Sequence, residues 1–116
     1  MPTNVVIGPD VQDWLRDLKR DDRGKFIQVS AIIDALREEA RALGWPPARL
    51  VEGESLGFNE LCPMPKEIRI IFKFDSLEQA VLLVVGDGED NWNQWYPEAI
   101  KKAEQLFAAH LDTLSK

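Results

Sequence analysis

The stretch Glu67-Ile68-Arg69-Ile70-Ile71-Phe72-Lys73-Phe74 constrains the fold more than any other part of the chain. Side chains of a strand alternate between two faces, so Ile68, Ile70, Phe72 and Phe74 share one face. Glu67, Arg69, Ile71 and Lys73 share the other. An all-apolar face must be buried, and two upstream segments carry the helical period that can bury it. Val11, Trp14, Leu15 and Leu18 fall at i, i+3, i+4 and i+7, with Asp10 placed to cap the first turn and Lys19 and Arg20 at the negative end. Asp21-Asp22-Arg23-Gly24 interrupts that stripe. Phe26, Val29, Ile33, Leu36, Ala40 and Leu43, widened by Ile32, form a second and longer one, stopped by Gly44 and Pro46-Pro47. So short a break predicts an antiparallel helical hairpin.

The remaining elements follow from the same periods. Val5-Val6-Ile7 reads as a strand ended by Gly8-Pro9, and Leu56 to Leu61 as the first strand after the hairpin. Cys62-Pro63-Met64-Pro65-Lys66 is a turn, because prolines cannot donate to a ladder. Asp75 to Glu78 reverses the chain, Ala80 to Val85 returns as an apolar central strand, and Gly86 to Asp90 closes the sheet. A last helix carries Trp95 or Tyr96, Ala99, Ile100, Ala103, Phe107, His110, Leu111 and Leu114 on one stripe. Proline is tolerated only in a first turn, so Pro97 favours Asn93 as the cap and leaves Asn91 and Trp92 in a loop. The expected architecture is α+β: a strand, a helical hairpin, a three-stranded and mostly antiparallel sheet, and a C-terminal helix, with residues 1–116 as a single domain.

Composition removes several function classes. Fourteen basic against twenty acidic residues leave a net charge of −6, which disfavours broad binding to nucleic acid or acidic membrane but allows a small basic site. One cysteine, Cys62, permits no internal disulfide, and with a single histidine, His110, no Cys/His zinc site can form within the chain; no metal or cofactor is expected. The longest apolar run, Ala80 to Val85, is too short to span a membrane, and the N-terminus has no secretory pattern. The expected location is the cytoplasm.

The candidate chemistry centres on Arg69 and Lys73. Four positions apart on a strand, they project from the same face, roughly 13 Å from each other, about the span of two neighbouring phosphates and a nucleotide between them. The structural alternative is the wet side of a half-covered sheet, with Glu60 on the next strand as an ion-pair partner. Trp92, Trp95 and Tyr96 offer stacking surfaces for RNA bases or, alternatively, anchor the last helix. His110 lies on an apolar stripe and reads as a packed or capping residue; Cys62 has no nearby histidine to make it a nucleophile. Gly86-Asp87-Gly88 is a tight turn and no phosphate loop.

The run Leu56-Gly57-Phe58-Asn59-Glu60-Leu61, then Ile68-Arg69-Ile70-Ile71-Phe72, then Val81 to Val85, resembles the RelE/ParE toxin superfamily. The likeness is closest to its phage-derived HigB-like branch, as is Gly86-Asp87 followed by Trp92-Asn93-Gln94-Trp95-Tyr96. The resemblance implies a type II toxin: a metal-independent messenger-RNA endoribonuclease, with or without the ribosome, held by a helix-turn-helix antitoxin, and with a homodimer allowed. It also implies Arg69 as the phosphate cation, Lys73 as its assistant and Tyr96 as a stacking or proton-donating residue. Two cations common among relatives are replaced here by Cys62 and Gly88. A ParE-like or non-catalytic protein acting through protein contact is the alternative on the same fold.

Overall fold

The computed structural model describes residues 2–43, 48–51, 57–63 and 67–115. In chain order it contains β1 (Val5–Ile7), α1 (Pro9–Asp21), α2 (Arg23–Glu39), a 3-10 turn (Ala40–Ala42), β2 (Ala48–Leu50), β3 (Asn59–Leu61), β4 (Ile68–Phe74), β5 (Ala80–Asp87) and α3 (Trp92–Leu114). The α+β architecture expected from the two periods is what the chain adopts. The sheet has five strands in the order β1-β5-β4-β3-β2, with β1 parallel to β5 and the other pairs antiparallel. It therefore gains a strand, β2, that the sequence pattern did not mark, and the strand expected from Leu56 forms only over Asn59–Leu61. Gly57, at φ 76°, turns the chain into it in a conformation that suits glycine. Leu56, Gly44, Pro46-Pro47 and Met64-Pro65-Lys66 lie outside the described residues.

The apolar face of β4 meets the hairpin as its alternation requires. Ile68, Ile70 and Phe72 form one core with Val11, Leu18, Val29, Ile33 and Leu36, with Trp14, Leu15 and Phe74 packed around it. A single residue joins the two helices: Asp22 ends α1 and caps α2, its carboxylate accepting from the Lys25 amide at 3.1 Å. Asp10 is not the cap of α1. Gly8 takes that position, because Pro9 fits the first helical turn and lets the helix begin earlier. Asp10 pairs instead with Lys102 of α3 at 2.5 Å. Gly8 is also required by close approach, since a Cβ there would stand 2.6 Å from the Leu82 carbonyl oxygen.

The opposite face is not the wet side that the charged residues of β4 suggested. Helix α3 covers it, and Ile71, Val81, Leu83, Phe58, Ala99, Ile100, Ala103 and Phe107 make a second core between sheet and helix. Two boundaries near α3 differ from expectation. Gly86 and Asp87 belong to β5, not to a turn. Helix α3 starts at Trp92 with Asn91 as its cap, the Asn91 side chain accepting from the Gln94 amide, so Asn91-Trp92 is no separate loop and Pro97 sits in the second turn. The reason is tertiary. Trp92 and Trp95 meet edge to face at 5.0 Å above Gly86, where a Cβ would lie 2.7 Å from Trp95 and 2.8 Å from Trp92. Packing two indoles on a bare strand position outweighs the lost Pro97 hydrogen bond.

Candidate active site

Three elements bring the site together at the end of the sheet where β4 begins. Arg69, on β4, stands opposite Gly86 in the β4–β5 register and projects towards α3. Its guanidinium lies 4.4 Å from the Trp92 ring centre and 5.7 Å from that of Tyr96. The missing side chain at Gly86 lets the indoles settle low enough to reach it. Arg69 Nη1 donates to the Tyr96 hydroxyl at 2.6 Å, and that hydroxyl donates in turn to Glu60 Oε2. Glu60 faces Ile71 across the β3–β4 pair and is only 1% exposed. A carboxylate, a phenol and a guanidinium thus form one chain of hydrogen bonds. Burial, followed by the bond to Glu60, raises the Tyr96 phenol above its ordinary value, against the opposing pull of Arg69.

Of the residues singled out from sequence, Arg69, Tyr96, Trp92 and Trp95 come together. Lys73 does not join them. It shares the face of Arg69, but its ammonium sits 5.0 Å from the ring centres of both Phe58 and Phe107, farther along the sheet. Trp95 rests on Gly86 and against Tyr96 at 5.1 Å, which makes it an anchor of α3. His110 is packed, as its stripe implied, with Nε2 2.8 Å from the buried Asp75 carboxylate. Burial works to raise the Asp75 pKa. The bonds from His110, the Gln79 amide and side chain and the Leu77 amide overcome it, leaving the pKa below the ordinary value. Cys62 is half-buried just beyond β3. Among the described residues no group of His, Cys, Asp or Glu is arranged to hold a metal, and no helix is long and apolar enough to cross a membrane.

Glu60 is the member that spacing did not assign. It entered only as an ion-pair partner for a wet face, yet it alternates with Leu61, which packs in the hairpin core, so Glu60 had to face the other layer. The signal that this layer is dry was the unbroken apolar run of β5 together with Ile71 among the charged residues of β4.

The chain is 40% identical over 105 residues to a Mycobacterium tuberculosis protein named "Putative toxin HigB2", covering 87% of this chain and 51% of that protein. It is 37% identical over 102 residues to "Putative toxin HigB3" of the same organism, covering 87% of each. The chain thus spans about half the length of the first relative and most of the second. No family model and no solved structure matches it. With identity of that order over most of its length, the chain belongs to the HigB-like toxins of the RelE family.

Proposed function

We propose that this toxin is a metal-independent endoribonuclease acting on messenger RNA, on the ribosome or free, and that a helix-turn-helix antitoxin restrains it in the cytoplasm. The observation that carries this reading is the Arg69–Tyr96 pair: a guanidinium bonded to a phenol whose hydroxyl is itself hydrogen-bonded to a buried carboxylate. Cleavage by the ribose 2′-hydroxyl needs a cation for the charge that grows on the phosphate and a group that handles protons. Arg69 supplies the first and Tyr96 the second. Trp92, half-exposed and stacked on Arg69, offers a face for a base, while Trp95 holds the helix in place. Lys73 contributes at most a more distant phosphate contact. In an acidic chain, one cation braced by aromatics is a local site of the kind that net charge allows.

The test is Arg69→Ala, measured by messenger-RNA cleavage and growth arrest without antitoxin. Loss of a preorganised cation costs about 10²–10³ in rate. Because Arg69 packs against Trp92 and Tyr96, the variant also loses about 1 kcal/mol of stability, and its melting must be followed in parallel. Wild-type protein that leaves RNA intact with and without ribosomes defeats the enzyme reading. The protein-contact alternative then takes its place; the absence of cations at Cys62 and Gly88 and the aromatic enclosure of Lys73 favour it.

A further inference from the structure

We infer that Glu60 is the proton acceptor behind Tyr96, a positioning residue that turns the phenol into a relay. The inference rests on the nuclease reading of the Arg69 site. Its ground is the cost of the arrangement. A carboxylate buried to 1% exposure gives up several kcal/mol of hydration, and an apolar residue of similar volume packs there without that loss. Glu60 is flanked along its face by Phe58 and faces Ile71 across the strand pair, both in the second core.

What the charge does follows from the direction of the bonds. Tyr96 has one hydroxyl proton and gives it to Glu60 Oε2; its oxygen faces the Arg69 Nη1 donor. That oxygen keeps lone-pair capacity for an incoming hydroxyl. When a ribose 2′-hydroxyl reaches it, the 2′-O–H proton passes to the Tyr96 oxygen as the phenolic proton passes to Glu60. The phenol is neutral before and after. The 2′-oxygen forms its bond to phosphorus and the bond from phosphorus to the 5′-oxygen breaks. The 5′-oxygen takes a proton from solvent water, and the resulting hydroxide is neutralised when Glu60 returns its proton through Tyr96. The products are a 2′,3′-cyclic phosphate and a 5′-hydroxyl, with no net proton change. A phenol alone, its pKa held high by burial, is a poor base near neutrality; a carboxylate behind it supplies the driving force.

The experiment compares wild type, Glu60→Gln, Tyr96→Phe and the double variant in RNA cleavage across pH. Glutamine keeps an acceptor for the Tyr96 hydroxyl but cannot take its proton. Expected is a fall of about 10²–10³ in kcat with KM little changed. The double variant should be no slower than either single one, as for residues acting as a unit. A second readout is independent of cleavage. Tyr96 is the only tyrosine, so tyrosinate absorbance titrates it alone, and Glu60→Gln should move its ionisation to lower pH. If Glu60→Gln does not fold, Tyr96→Phe carries the kinetic test unaided. A wild type that cleaves RNA while Glu60→Gln or Tyr96→Phe keeps full activity overturns the relay and leaves the nuclease reading standing. A wild type that cleaves nothing removes both, and a shifted Tyr96 titration then marks the bond as structural only.

Discussion

Gly86→Ala perturbs the contact on which the whole site rests. The added methyl would lie 2.7 Å from Trp95 Cε2 and Cζ2 and 2.8 Å from Trp92 Cζ3, where carbons prefer about 3.5–4.0 Å. Two rigid indoles, packed against each other and against Tyr96, must retreat by roughly 1 Å, and such overpacking costs about 1–3 kcal/mol. In a chain of this size each kcal/mol lowers the melting temperature by roughly 4–8 °C. Thermal and urea unfolding, followed by tryptophan fluorescence, measure the loss. Gly24→Ala is the control: the nearest atom to its Cβ is an Asp22 carboxylate oxygen at 3.7 Å, and alanine in this helix should add about 0.4–1 kcal/mol. Because Arg69 faces Gly86 in register, displaced indoles also loosen the guanidinium, so RNA cleavage should fall together with stability. A Gly86→Ala protein that melts with wild type, its fluorescence unchanged, would refute the packing of Trp92 and Trp95 on β5.

Two further outcomes follow from the structure. The Asp75 carboxylate is held below its ordinary pKa, so its contribution is complete above the unfolded value of about 3.9 and is lost as pH falls through the lower folded value. Asp75→Asn should therefore cost about 1–3 kcal/mol at neutral pH and progressively less towards pH 3, as read by urea titrations at stepped pH; an equal loss at every pH would contradict the assignment. Pro97, the sixth residue of α3, leaves the Asn93 carbonyl without its helical donor, and Pro97→Ala should raise stability by about 1–2 kcal/mol; a lower melting temperature would mean that the proline sets the angle at which the indoles dock.

Much of this protein is written in local periods. The alternation from Ile68 to Phe74, the stripes through Leu18 and Leu36 and the stripe through Phe107 are properties of near neighbours in the chain, and each appears in the fold as the pattern implies, although the second helix ends at Glu39 and leaves Leu43 outside it. So does the placing of Arg69 and Lys73 on one face, since an even spacing on a strand admits nothing else. Tertiary structure decided what those faces meet. Helix α3 dries the face of Arg69, puts Lys73 between two phenylalanines and starts two residues earlier than its proline allows by local rules, because Gly86 leaves room for Trp92 and Trp95. Glu60 and Tyr96 lie 36 residues apart and become partners only when the second layer closes over them. Periodicity is a sum over adjacent residues, legible one turn or one pleat at a time. Burial and proton pairing are sums over groups that the chain brings together only by folding.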